Sequence, residues 1–221
     1  MIRQKTDATA VFYARNCMVV EGDDDSNGFE AMLAYVGRAS DLEIFVANGK
    51  TRIRATLQVL SGYSGFEALG QVIVVRDPDD DPTAAFASCA DSLVTIGFTR
   101  PRGVDVPALT SGRPDGLVWL TPMTGRGSLE TLCFSSLTGT AVETCVESYL
   151  KCMDGTYELP KVAFNDADQS KRRTEAVLAA GRLAAGKDEP GLPLGLGLRR
   201  GLFDLTSPVF SPYLDRLRSL P

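Results

Sequence analysis

Two acidic runs, VVEGDDD and VVRDPDDDP, hold the residues of this chain best suited to chemistry. Each follows an apolar stretch of strand character, so Glu21 and the pair Asp77 and Asp79 fall where a strand ends and the chain turns. Open parallel sheets place their ligands at that edge. On extended backbone, positions 77 and 79 project to the same side, so their carboxylates can converge on one cation. If the two strands are neighbours, Glu21 joins them. An oxygen-only cluster suits Mg²⁺ or Mn²⁺, one ion or two, rather than softer metals. An Asp-rich stretch beside proline, taken alone, is a solvated turn. It is the acid at a second strand end within one βαβαβ frame that points to a site.

The rest of the composition removes competing chemistries. The chain has no histidine, so zinc sites of the finger type, histidine general bases and Ser-His-Asp triads are excluded. The five cysteines are scattered, form no CxxC pair and read as small core residues of a reduced, cytoplasmic protein. The N-terminal stretch lacks the apolar segment of a secretory signal, and no apolar run nears the roughly 18 residues of a membrane helix, so no membrane partner is expected. A net charge of −5 argues mildly against broad polyanion binding, although bound divalent cations would offset several of those charges locally.

The elements that must position the acids follow from periodicity. CMVVEG, LEIFVAN, QVIVVRD and GLVWLTP read as strands, and FEAMLAYVGRA, with Phe29, Met32, Leu33 and Val36 on one face, as a crossover helix. Further helices are expected from about Lys50 to Leu60 and from Pro82 to about Ile96, proline suiting a first turn. Beyond the fourth strand SLETLCFSSL, AVETCVESYLKCM and Asp166 to Ala185 read as helices, KDEPGLPLGLG as a Pro/Gly break, and Ser207 to Leu220 as a last amphipathic helix. The expected organisation is an α/β core over 1–125 and a helical part over 126–221 that packs on it and contributes site residues.

Spacing tests three sharper alternatives. An EF-hand loop opening at Asp77 needs Gly and Glu where Pro82 and Ser88 stand. A haloacid-dehalogenase phosphatase resembles the DxD but carries Thr or Val where this chain has Asp81. A response-regulator receiver needs a Lys-Pro at the end of its last strand, which no segment supplies convincingly.

Glu-Gly after one strand and Asp-x-Asp after a later one is the two-part signature of the Toprim domain, which this chain resembles over most of its length. The likeness is to small standalone Toprim-like proteins of bacteria, with VVEGDDD, VVRDPDDDP and GSLETLC as the corresponding segments. It extends to the Toprim halves of the overcoming-lysogenization-defect (OLD) nucleases, which add an acid four residues after the glutamate, a Ser-x-Glu element and a distal lysine. Asp25, Ser128 with Glu130, and Lys171 are the candidates here. The resemblance implies a Toprim-like, Rossmannoid parallel sheet of about four strands flanked by helices. It implies Glu21, Asp25, Asp77, Asp79, Ser128 and Glu130 as ligands of one or two Mg²⁺ or Mn²⁺ ions, Glu21 and Lys171 as catalytic residues, and phosphodiester hydrolysis on nucleic acid. That chemistry needs no histidine, since the ions activate water and steady the leaving oxygen.

Each added residue keeps a plainer reading. Asp25 serves equally as a helix cap, Ser128 and Glu130 equally as a helix start, and Lys171 equally as part of a solvated KRR face, with Lys161 its competitor. Lys50, after Asn48-Gly49, suits either a phosphate or open solvent. Pro78 inside the DxD stiffens the turn, while Asp80 and Asp81 add negative charge. No GxxxxGK[ST] loop occurs, so a nuclease would work without its own motor or with a separate ATPase or other protein partner. The other class is a non-catalytic metal- or nucleotide-binding regulatory module. A basic groove beside the acids favours the nuclease, an acidic mouth the module. Oligomeric state is left open, a homodimer included.

Overall fold

The computed structural model describes residues 11–156, 166–184 and 192–221. Lys161, the first ten residues read for a leader and the KDEPG part of the Pro/Gly break lie outside them. The fold is α/β, built on a four-stranded parallel sheet of order β2-β1-β3-β4: β1 Asn16–Val20, β2 Leu42–Val46, β3 Gln71–Arg76 and β4 Asp115–Leu120. Every residue of central β1 is buried, as is the Val72–Val75 run of central β3, the near-continuous apolar pattern of strands covered on both faces. Alternation divides each strand between two cores. Met18, Val20, Ile73 and Val75 face one cluster; Cys17, Val19, Val72 and Val74 face the other.

The second cluster is closed by α2 (Ile53–Ser61) and α3 (Pro82–Thr95). The first takes α1 (Asp23–Tyr35), α4 (Leu129–Ser135), α5 (Ala141–Thr156), α6 (Asp166–Ala184), α7 (Leu194–Arg199) and α8 (Ser211–Arg218). Residues beyond 126 therefore share a core with α1 and the strands. Tyr213 of α8 lies against Phe29 and Trp119, and its hydroxyl donates to the Leu120 carbonyl at 2.7 Å at the end of β4. Among the described residues no helix is long and apolar enough to cross a membrane.

Two readings are corrected. PLGLG is not wholly a break: Leu194 to Arg199 form α7, because Gly195 and Gly197 let it lie directly on its neighbours. A Cβ on Gly195 would come within 2.3 Å of the Asn27 carbonyl oxygen in α1, and one on Gly197 within 2.6 Å of Leu178 in α6. The cysteines divide as well. Cys17, Cys89 and Cys133 are buried, whereas Cys145 and Cys152 are exposed on α5, whose apolar residues do not all face inward.

Candidate functional site

The sheet's C-terminal edge gathers the acids, and local rules explain how each arrives. Glu21 follows β1 directly. Gly22 opens α1 in an extended conformation, and Asp23, Asp24 and Asp25 occupy the first turn, where the helix dipole favours negative charge. Asp25 Oδ2 accepts the Gly22 N–H at 2.9 Å, so the capping role is real, and the side chain is buried at 6% exposure.

On the neighbouring strand the backbone is not extended through the DxD. β3 ends at Arg76, Pro78 turns the chain, and Asp79 adopts a left-handed conformation (φ 49°) while pairing by reciprocal backbone bonds with Gly127. Asp77 and Asp79 consequently diverge, against the expectation from simple alternation. Asp77 Oδ1 accepts the Leu129 N–H of α4 at 3.1 Å. Asp79 Oδ2 meets Lys50 Nζ at 3.1 Å. Lys50 is there because the Asn48-Gly49 turn is held by a Gly49 N–H bond to the Glu21 carbonyl at 2.9 Å; both turn residues have positive φ, and a 3₁₀ turn at Lys50–Arg52 then leads into α2. Asp81, one of the additional acids of the run, is the N-cap of α3 and accepts the Ala84 N–H at 2.9 Å ahead of Pro82.

α4 brings the Ser-x-Glu element. Gly127 is obligatory, at φ 120° and with Thr131 Oγ1 2.5 Å from where a Cβ would stand. Ser128 is the N-cap residue, Thr131 Oγ1 accepts its N–H at 3.1 Å, and its own hydroxyl is buried without a hydrogen-bond partner among the described residues. Glu130 lies in the first turn of α4, and its carbonyl accepts the Thr174 hydroxyl of α6 at 3.1 Å. That bond docks the segment carrying Lys171. Asp24, Glu130, Lys171 and Glu175 line a cavity of about 410 Å³ floored by Leu178, Leu192 and Leu194.

Electrostatics ties these groups together. Burial, then repulsion from Glu21, Glu130 and Asp24, pushes the Asp25 carboxyl up to about 7 despite the Gly22 bond. Asp77 is raised well above the ordinary range by burial and by Asp25, Glu130 and Glu21. Glu21 is raised by burial, an effect opposed by Arg76, Lys50 and Lys171 and reinforced by Asp79. Asp24 is raised by burial and Glu130. The eight candidates thus converge on one edge. Yet no three acids or cysteines among the described residues lie close enough to form a ready-made metal cage.

Sequence reasoning missed Arg76 and Asp24. Arg76 Nε stands 3.8 Å from Glu21 Oε2, and both atoms are buried without hydrogen-bond partners among the described residues. The signal was present in VVRD: an arginine at the last position of an otherwise apolar central strand has no solvent to reach inside the sheet and must look over its end.

No curated protein matches the sequence. The structure is similar to the C-terminal region of the OLD protein of Xanthomonas campestris pv. campestris, with 15% identity, a TM-score of 0.48, and coverage of 94% of this chain and 96% of that one. Residues 15–220 match the model of the family described as protein of unknown function (DUF3226), and the chain belongs to that family.

Proposed function

We propose that this protein is a Mg²⁺- or Mn²⁺-dependent phosphodiesterase acting on nucleic acid. The observation that carries the reading is the excess of negative charge where β1, β3, α1 and α4 meet: Asp25 and Asp77 are buried within electrostatic reach of Glu21 and Glu130, whose charges add to burial in raising the affinity of both for protons. The donor set fits a hard cation. It is all oxygen, and among the described residues Glu21 Oε2 and Ser128 Oγ are buried without a hydrogen-bond partner, so a ligand-bearing role would satisfy two atoms that otherwise accept no hydrogen bond. The residues that would hold the ion are Asp25, Asp77, Glu130, Glu21 and Ser128, with Asp79 at the rim.

When bound, such an ion supplies charge to the phosphoryl oxygens and activation of water. The chain's own residues do the rest. Lys171, on the cavity wall beside Glu130, offers ammonium hydrogens to the oxygen on which charge develops. Lys50, half exposed at the mouth, is placed to steer a phosphate toward the acids. Hydrolysis then joins a water oxygen to phosphorus and breaks the P–O ester bond, leaving a phosphomonoester and an alcohol. The resemblance of VVEGDDD, VVRDPDDDP and GSLETLC to Toprim motifs supports the same class of reaction.

One observation favours the second reading, a non-catalytic metal- or nucleotide-binding regulatory module. The cavity sets Asp24, Glu130 and Glu175 against Lys171 alone, an acidic mouth that repels a polyanion until a cation is bound. Incubation of single- and double-stranded DNA and RNA with Mg²⁺ or Mn²⁺, with EDTA controls, separates the two. The nuclease reading expects metal-dependent products that fall by at least about a hundredfold with Asp77→Ala, the scale of losing a site's electrostatic core. Thermal stabilisation by Mn²⁺ that needs Asp77, with no cleavage of any substrate, would establish the module.

A further inference from the structure

The cavity beside Glu130 differs from the acidic edge it adjoins. Its floor is apolar, with Leu192 and Leu194 buried and Leu178 half-buried, and its walls come from α1, α4, α6 and the residues that open α7. A volume of about 410 Å³ falls within the range of small-molecule sites, roughly 300–1,000 Å³, and a leucine floor suits the face of a ring.

The polar walls are one-sided. Asp24, Glu130 and Glu175 present carboxylates, which only accept hydrogen bonds, and the Thr174 hydroxyl has its hydrogen committed to the Glu130 carbonyl. Lys171 supplies the single side-chain donor, and in the proposed reaction it serves the phosphate. Two of the three carboxylates are otherwise engaged: Glu130 is among the proposed ion ligands, and Asp24 lies in the first turn of α1, whose dipole holds its charge. Glu175 is exposed on α6, one turn beyond Lys171, and makes no ion pair among the described residues.

A nucleotide held by its phosphate at the acids can lay its base on this floor. Guanine alone among the bases offers two adjacent N–H donors, at N1 and N2, to an acceptor-only carboxylate. Adenine and cytosine set an amino donor beside a ring acceptor, and uracil and thymine set one N–H between two carbonyls. Resting on the phosphodiesterase reading, we infer that this cavity takes the base of an unpaired guanine nucleotide, with Glu175 as the specificity-determining residue. A carboxylate meets a donor at both oxygens on guanine, whereas every other base turns a lone pair toward one of them. The base must be unpaired, because in a duplex that edge is spent on its own partner. The substrate class is therefore a single strand, or an extruded base, that contains guanine.

Nucleosides carry no phosphate, so their binding to the full chain in EDTA, followed by calorimetric titration, tests the cavity apart from metal and catalysis. Guanosine is expected to bind at least about tenfold tighter than adenosine, cytidine and uridine, the scale of one bidentate base contact. Glu175→Gln, which sets a donor beside an acceptor at an exposed helix position, is expected to weaken guanosine about tenfold while adenosine gains. Glu175→Ala is expected to weaken guanosine with no gain for any other base. Equal affinity for all four nucleosides, or no binding of any, would overturn the inference and leave the phosphodiesterase reading to its own cleavage assay. Tight binding of spermidine in place of guanosine would overturn it too, by making the cavity a site for organic cations. A guanosine preference untouched by either variant would remove Glu175 from the role. Guanosine bound as expected by a chain that cleaves no nucleic acid would sink the phosphodiesterase reading and leave the base preference standing.

Discussion

The two halves of the acidic edge differ in how the fold treats a buried charge. Glu21 and Asp79 each face a cation, Arg76 and Lys50, and the Glu21 carboxyl is shifted upward by burial against the pull of its basic neighbours. Among the described residues Asp25 and Asp77 face backbone N–H groups and other acids, and burial and repulsion act together. Structural acids are normally compensated, because an uncompensated buried carboxylate is costly. In the proposed function, the half left in deficit is where a bound cation would supply the missing charge.

The largest expected effect breaks the deficit itself. Asp25 titrates near 7 when folded against an ordinary value of 3.8, so between those pH values the folded chain holds a proton the unfolded chain has released. Stability without divalent ions therefore falls as pH rises from about 4 to about 7, by up to about 4 kcal/mol for this group. Thermal melts across that range in EDTA, repeated with Asp25→Asn, check this. The variant is expected to melt higher at pH 8 and to lose most of the slope, while saturating Mg²⁺ flattens the wild-type profile. A variant as pH-dependent as wild type would show that the deficit lies elsewhere.

A smaller effect disturbs only the deficient half by moving its scaffold. Gly195→Ala would push α7 off the Asn27 carbonyl and shift α1, which carries Asp25, at a cost of about 1–3 kcal/mol as for other overpacked contacts. Denaturant unfolding gives the stability, and Mn²⁺ titration should show weakened binding. The Lys50–Asp79 pair should be unaffected. Unchanged Mn²⁺ affinity at the expected loss of stability would uncouple α7 from the site.

The smallest effect sharpens the comparison from the compensated side. Lys50 and Asp79 are about half exposed in their ion pair, and such pairs contribute at most about 1 kcal/mol. Lys50→Met should leave the midpoint of unfolding almost unchanged while weakening substrate binding more at low than at high ionic strength. A salt-independent loss would argue against steering.

Some of this was readable directly. The four strands and the helices following the first three announce themselves through apolar periodicity, Pro82 marks the start of α3, and the acids at two strand ends mark the edge where Glu21, Asp25, Asp77, Ser128, Glu130 and Lys171 now gather. The resemblance of short motifs to the Toprim pattern selected those residues from among the chain's acids. Less readable was how they face. Alternation holds only while backbone is extended, and β3 stops at Arg76 before the DxD begins. Asp79 then turns through a left-handed conformation toward Lys50, a partner twenty-nine residues earlier, while Asp77 points at α4, fifty-two residues later.

Local patterning along the chain is enough for strands, helix starts and the gathering of acids at one edge, because these depend on side-chain period, capping chemistry and the polarity of a parallel sheet. Which acids are neutralised and which are left in deficit depends on contacts between segments far apart in the chain. Arg76 reaches Glu21 only because β1 and β3 pair side by side, and the burial that lifts Asp25 comes from packing around α1. A carboxylate's charge state is set by the dielectric and the charges around it, and those exist only once the chain has closed.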